Sequence, residues 1–115
     1  MTTYDIDAWL GDAEATDAQR EAIQRAADAI AARWPDEDLA DTREQALAAA
    51  AQVILDDAAL DEFGSAYVQA RRAEQDARAD LTGALIASQG TASEVELAAR
   101  AGVTRTTVRK ALGKG

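Results

Sequence analysis

Basic and hydroxyl side chains are concentrated in residues 93–115, which carry five bases and two acids. Besides Ser93, the side chains of this segment that can bind an anion or donate a hydrogen bond are those of Arg100, Thr104, Arg105, Thr106, Thr107, Arg109, Lys110 and Lys114. Guanidinium and ammonium groups bind phosphates, and arginine also pairs with the edges of bases. This composition is typical of a surface that binds nucleic acid.

Residue spacing in the same segment predicts two short helices joined by a tight turn. Ser93 can cap the first helix, with Glu96 three residues later to complete a capping box. Gly102 favours a left-handed turn, a conformation that costs glycine almost nothing and other residues about 1 kcal/mol or more. Thr104 offers a hydroxyl cap for the second helix, which we expect over residues 105–112.

Apolar residues in the segment recur at the spacing of a helix pair that packs face to face. Leu97 and Ala101 lie four residues apart in the first helix, and Val108 and Leu112 lie four apart in the second. Val103 supplies an apolar side chain that fills the space between the two helices. We therefore expect the two helices to pack against each other.

The two expected helices and their turn have the sequence Glu96-Leu-Ala-Ala-Arg-Ala-Gly-Val-Thr-Arg-Thr-Thr-Val-Arg-Lys-Ala-Leu112. This segment resembles the helix-turn-helix of bacterial repressors of the lactose-repressor class and of resolvase-type DNA-binding domains. The likeness covers about a fifth of the chain. Proteins with this motif place its second helix in the major groove of DNA.

The resemblance implies a role for seven residues. Those that match positions at base edges are Arg105, Thr106 and Lys110. Those that match positions touching or flanking phosphates are Arg100, Thr104, Thr107 and Arg109. The implied function is sequence-specific binding of double-stranded DNA by a small bacterial transcriptional regulator.

Charge is divided unevenly along the chain. Residues 1–62 carry sixteen acids and four bases, and the whole chain has a net charge of −9. Because phosphate neutralisation supplies most non-specific affinity, we expect modest affinity for random DNA. The acidic residues either keep the protein soluble or serve to bind a protein partner or to mimic DNA. The alternative function is therefore a protein-interaction module, antitoxin-like or anti-activator, that acts through the acidic N-terminal helices.

An alanine-rich chain with one proline predicts an all-α fold. Thr16 with Gln19 predicts a capping box for a helix that ends at Pro35. Asp41 with Glu44 predicts the cap of a second helix, and the two helices should form a hairpin. The residues expected to be buried in this part are Ile6, Trp9, Leu10, Ile23, Ala27, Ile30, Trp34, Leu47, Ala51, Ile54 and Leu55.

A third helix is expected from about Leu60 to Ser88, followed by a stop at Gly90. Its first half would pack on the hairpin, while Leu81, Leu85 and Ile86 would complete the DNA-binding unit. Self-association through this helix, as a homodimer, and packing within one chain stay as alternatives. The expected regions are residues 1–62, an acidic helical bundle; 63–92, a connecting helix; and 93–115, the helix-turn-helix.

The absence of cysteine and histidine excludes disulfides, thiolate metal sites and histidine acid–base chemistry. The acidic N-terminus lacks the positive start of a signal peptide, and no apolar run approaches the roughly 20 residues that span a bilayer. We expect a cytoplasmic protein without a membrane partner, cofactor, metal site or enzymatic activity. Its carboxylate clusters, residues 36–38, 56–57 and 61–62, are expected to be solvated rather than to hold a cation.

Overall fold

Six α-helices and no β-strand form residues 5–115, the part of the chain that the computed structural model describes. The helices are α1 (Ile6–Leu10), α2 (Asp17–Arg33), α3 (Ala40–Ile54), α4 (Leu60–Ser88), α5 (Glu94–Ala101) and α6 (Arg105–Ala111). The prediction of an all-α fold is confirmed. The chain divides into two compact units, Met1–Gly64 and Ser65–Gly115, so that the boundary falls within α4.

Helix α1 packs on the core of the first unit, as its apolar residues predicted. Asp5 caps the helix, because its carboxylate accepts a hydrogen bond of 3.3 Å from the N–H of Ala8. Ile6 is buried and Trp9 packs beside it, while the Trp9 indole N–H donates to Glu44 at 2.7 Å. Residues 1–4, which the sequence analysis assigned to the same segment, lie outside the described part of the chain.

The capping box predicted at the start of α2 is confirmed. The Thr16 hydroxyl accepts from the Gln19 N–H at 3.1 Å, and the Gln19 side chain accepts from the Thr16 N–H at 2.8 Å. These two bonds satisfy amides that have no partner within the helix. The helix ends at Arg33, two residues before Pro35, also as predicted.

The start of α3 differs from the prediction. A 3₁₀ turn, Glu37–Leu39, leads directly into α3, and no side chain caps the helix. Asp41 lies inside the first turn of α3, so the prediction that Asp41 and Glu44 cap this helix is wrong. The 3₁₀ turn makes such a cap unnecessary, because backbone carbonyls at its start accept from the N–H groups of Leu39 and Ala40.

Arg43 is a buried charge that connects α3 to the end of α2. Its side chain is 3% exposed, and its Nη1 donates to the backbone oxygens of Trp34 at 2.7 Å and Asp36 at 2.5 Å. Carbonyls at the end of a helix lack partners within the helix and carry partial negative charge. The guanidinium therefore stabilises the connection between α2 and α3.

The core of the first unit contains the residues that helical spacing predicted, except Trp34, which follows the last residue of α2 and is half-buried outside the cluster. Ile6, Ile23, Ala27, Leu47 and Ala51 form one buried cluster, and Ile23 and Leu47 are fully buried. The predicted residues that pack against this cluster while partly exposed are Trp9, Leu10, Ile30, Ile54 and Leu55. Burial of apolar side chains from α1, α2 and α3 thus stabilises the hairpin.

Helix α4 is continuous over Leu60–Ser88, with the bounds that the sequence predicted. All side chains of residues 64–80 are exposed, and Leu60 and Tyr67 are 73% and 62% exposed. The expectation that the first half of this helix is buried is therefore wrong for these residues. Alanine and charged residues supply too little apolar area here to drive packing.

Within residues 5–115, none of the helices combines the length and the apolar composition of a membrane-spanning segment.

A second core forms where the end of α4 meets α5 and α6. Leu85, Leu97, Ala98 and Val108 are buried together, and Leu81 packs against them. The residues of the turn and of α6 that pack at the margin of this core include Val103, Ala111 and Leu112. Ile86, expected in this core, is instead 53% exposed, because one residue along a helix turns the side chain by about 100° away from the face of Leu85.

Candidate nucleic-acid interface

The first helix of the interface, α5, begins and ends at the residues that the sequence predicted. The Ser93 hydroxyl accepts from the Glu96 N–H at 3.1 Å. Among the described residues, the return bond from the Glu96 side chain to Ser93 is not formed, so the predicted capping box is half complete. Gly102 ends the helix with φ 71° and ψ 29°, and its N–H donates to the backbone oxygen of Ala98. The left-handed turn is confirmed.

Thr104 caps the second helix, α6. Its hydroxyl accepts from the Thr107 N–H at 3.1 Å, and the two threonine hydroxyl oxygens lie 3.0 Å apart. Helix α6 covers Arg105–Ala111, so it ends one residue earlier than expected. The cap orients the start of α6 immediately after the turn.

The seven side chains predicted to contact DNA lie in one unit of the structure, near the turn between α5 and α6. Those that are exposed are Arg100, Thr104, Arg105, Thr106, Thr107 and Lys110, whereas Arg109 is half-buried. Arg105 and Arg109 lie four residues apart on α6, as do Thr106 and Lys110, and these pairs form one side of the helix. Val108 is fully buried, so it anchors α6 in the core while that side remains accessible.

Glu94, the first residue of α5, binds the basic side chains of α6. Arg105 Nη2 lies 3.2 Å from its Oε1, and Arg109 Nη1 lies 3.0 Å from Oε1 and 3.2 Å from Oε2. Lys114 Nζ is 3.9 Å from Oε2. The Glu94 side chain is 20% exposed, so one carboxylate, largely covered, faces three cations.

The charge state of Glu94 follows from these neighbours. Partial burial of the carboxylate acts to raise the pKa of Glu94, but the hydrogen bond from Arg105 and the positive charges of Arg109, Lys114 and Arg105 lower it. The net effect is a pKa below the ordinary glutamate value. Glu94 is therefore ionised at neutral pH and offsets part of the positive charge of α6.

The remaining bases of the interface are free of such pairing. Within the described residues, neither Arg100 nor Lys110 forms an ion pair. Lys110 also lines an open groove of about 650 Å³ between the end of α4 and α6, whose lining includes Leu81 and Leu85. The basic surface thus has two parts: two arginines bound by Glu94, and two unpaired cations available to an external anion.

The acidic side chains of residues 1–62 are all exposed. They include the clusters at residues 36–38, 56–57 and 61–62. Within residues 5–115, no group of three or more acidic residues is arranged to hold a metal ion.

Two residues with specific contacts were missed by the sequence analysis, Glu94 and Arg43. Glu94 binds partners 11 and 15 residues away, on a different helix beyond the turn at Gly102, so no spacing within one helix signals the contact. The only indication in the sequence was that Glu94 is an acidic residue close before a basic helix.

Comparisons of the chain with protein-family models, curated proteins and solved structures found no match.

Proposed function

We propose that this protein binds double-stranded DNA sequence-specifically, as a small transcriptional regulator, with α6 in the major groove. The observation that carries the proposal is that α6 has one side buried in the core and another side exposed. Val108 is buried in the core, while Arg105, Thr106 and Lys110 lie exposed on the accessible surface. A helix of about 10–12 Å diameter fits the major groove, which is about 12 Å wide.

The proposed contacts follow the resemblance to bacterial repressors. Arg105, Thr106 and Lys110 are proposed to contact base edges in the major groove. Phosphates are proposed to be contacted or flanked by Arg100, Thr104, Thr107 and Arg109. Arg100 and Lys110 support this proposal most directly, because both are exposed and neither is paired within residues 5–115.

The charge distribution supports binding through one part of the chain. Residues 93–115 carry five bases and two acids, whereas residues 1–62 carry sixteen acids and four bases. Because the acidic part repels DNA phosphates, affinity for random DNA should be modest. That affinity should also fall as salt rises, because each phosphate contact releases counterions. We place this activity in the cytoplasm, since the chain has no cysteine and so forms no disulfide.

A helix-turn-helix of this size reads about half of a typical binding site. We therefore propose that two copies of the chain bind two half-sites, about one turn of DNA apart. The exposed stretch of α4, residues 64–80, leaves its side chains accessible to a second copy. Sedimentation with and without DNA would show whether the second copy joins before or during binding.

The first test is selection from a pool of random duplexes, followed by gel-shift titration of the selected sequence. We expect Lys110→Ala to weaken DNA binding by about 1–3 kcal/mol, because it removes an unpaired cation from the side of α6 that is proposed to face the major groove of DNA. Arg25→Ala is the matched control, since it removes one positive charge from an exposed position on α2, in the other compact unit. Equal affinity of the wild type and Lys110→Ala for the selected sequence would contradict the assignment of α6.

A second candidate function is supported by the exposure of all sixteen acidic side chains in residues 1–62. In that case the chain is a protein-interaction module, antitoxin-like or anti-activator, that acts through its acidic N-terminal helices. A protein that acts only in this way retains no DNA fragment at low salt. The same selection experiment therefore discriminates between the two functions.

A further inference from the structure

Glu94 is an acid at the centre of a surface that otherwise attracts anions. Its two oxygens accept hydrogen bonds from Arg109 at 3.0 and 3.2 Å, and Arg105 donates to the same carboxylate at 3.2 Å. Lys114 adds a third positive charge at 3.9 Å. Two of the seven proposed DNA-contacting residues are thus already bound to an anion within the protein.

A carboxylate and a DNA phosphate compete for the same donors. Guanidinium groups form charge-assisted hydrogen bonds of similar geometry with either anion. A phosphate that approaches Arg105 or Arg109 must displace Glu94 or share the guanidinium with it, and the negative carboxylate repels the phosphate in both cases. Lys110 and Arg100 are free of this competition, because they lack an acidic partner within residues 5–115.

We propose that Glu94 is a specificity-determining residue, whose carboxylate competes with DNA phosphates for Arg105 and Arg109 and thereby suppresses sequence-independent binding. This inference rests on the proposed function. Random DNA is bound mainly through its phosphates, so Glu94 competes directly with the groups on which that binding depends. A correct site also offers base edges to Arg105, Thr106 and Lys110. Base edges are uncharged, so the Glu94 carboxylate repels them less than it repels a phosphate, and these contacts offset the competition.

The test compares Glu94→Gln with Glu96→Gln. Both substitutions remove one negative charge from the first turn of α5, so they change the net charge and the interaction with the helix dipole alike. Only Glu94→Gln removes the carboxylate that binds Arg105 and Arg109. Dissociation constants are measured for a random-sequence duplex and for the selected site, each at several salt concentrations.

We expect Glu94→Gln to bind the random duplex about tenfold more tightly than the wild type, and Glu96→Gln less than about threefold more tightly. Two freed arginines should also steepen the dependence of log K on log salt by about 1–2, since each phosphate contact contributes about 0.9. Affinity for the selected site should rise less, so that the ratio of specific to random affinity falls.

A second variant, Glu94→Asp, keeps the negative charge and shortens the side chain by one methylene group. If the charge opposes the phosphate, this variant should bind the random duplex within about threefold of the wild type. Circular dichroism of each variant checks that the helices are retained. If Glu94→Gln loses helix, Glu94→Ala with Glu96→Ala as its control repeats the comparison, because alanine has the highest helix propensity.

The outcomes separate this inference from the proposed function. Tighter random binding by Glu94→Gln than by Glu96→Gln supports the inference, even if the wild type retains no random DNA. Equal effects of the two variants, or weaker binding by Glu94→Gln, would overturn it while leaving the proposed function intact. No binding of any duplex by the wild type and Glu94→Gln at low salt would overturn both.

Discussion

Glu94 and Arg109 join the first turn of α5 to the middle of α6, with one guanidinium nitrogen 3.0 and 3.2 Å from the two carboxylate oxygens. An ion pair that is partly exposed contributes little to stability, because solvent screens the charges and both side chains lose conformational freedom. Packing of Leu97 and Val108 in the second core therefore stabilises the helix pair, and Glu94 mainly determines the charge that α6 presents.

The lowered pKa of Glu94 makes its stabilising effect dependent on pH. A carboxylate whose pKa is lower in the folded protein than in the unfolded chain stabilises the fold fully above the ordinary value of about 4.3, and this effect is lost as the pH falls through the lowered pKa. We expect the stability difference between the wild type and Glu94→Gln to shrink below about pH 4. Thermal unfolding from pH 7 to pH 2 measures it.

Carboxyl NMR titration of Glu94 provides an independent check, with the same residue in the urea-unfolded chain as the reference. Glu94 should titrate at a lower pH in the folded protein than in the unfolded chain. A pKa in the folded protein equal to or above that of the unfolded chain would mean that Arg105 and Arg109 do not hold the carboxylate in solution.

The turn at Gly102 should tolerate alanine poorly. Gly102 has φ 71°, and an added Cβ there would meet no atom within 4 Å. The cost of Gly102→Ala is therefore conformational rather than steric, and we expect a loss of about 1–2 kcal/mol in the free energy of unfolding. Urea denaturation followed by circular dichroism measures the loss.

Gly83→Ala is the matched control for this substitution. An added Cβ at Gly83 also meets no atom within 4 Å, but Gly83 lies within helix α4. We expect alanine to stabilise the protein here by about 0.5–1 kcal/mol. Effects of the same sign at the two glycines would argue against a left-handed conformation at Gly102.

Substitution of Arg43 should lower the stability of the protein more than substitution of any other charged residue of the first unit. Arg43→Ala removes the side-chain donor to the Trp34 and Asp36 carbonyls, of which Asp36 keeps the Leu39 N–H, and we expect a loss of about 1–3 kcal/mol in the free energy of unfolding. Arg25→Ala, at an exposed position on α2, should change stability by less than about 0.5 kcal/mol. If the two substitutions proved equally mild in thermal unfolding, the buried hydrogen bonds would not contribute to folding.

The two hydrophobic cores should respond separately to truncation. Leu47 is fully buried in the first core and Leu97 is 4% exposed in the second, so each change to alanine should cost about 2–5 kcal/mol. We expect Leu47→Ala to accelerate amide hydrogen exchange mainly in α2 and α3, and Leu97→Ala mainly in α5 and α6. Uniform acceleration along the chain in both variants would show instead that the cores unfold as one.

Features that depend on neighbouring residues were predictable from the sequence. The Thr16–Gln19 box, the Thr104 cap and the Gly102 turn are each formed by residues three or four positions apart, and each was confirmed. The Asp41 cap failed although its pattern was also local, because the 3₁₀ turn Glu37–Leu39 leads directly into α3 and leaves Asp41 inside its first turn. Two local patterns can therefore predict different starts for the same helix, and the sequence does not show which of them forms.

The sequence by itself determined the helices, the turn between α5 and α6, and the apolar residues that form the two cores, because helical periodicity places those residues on one face. Only the tertiary structure decided that Arg43 is buried beneath the end of α2 and that Glu94 binds Arg105 and Arg109. Those contacts join residues 7 to 15 positions apart, across a loop or a turn. Their geometry depends on how one helix crosses another, which no local pattern encodes.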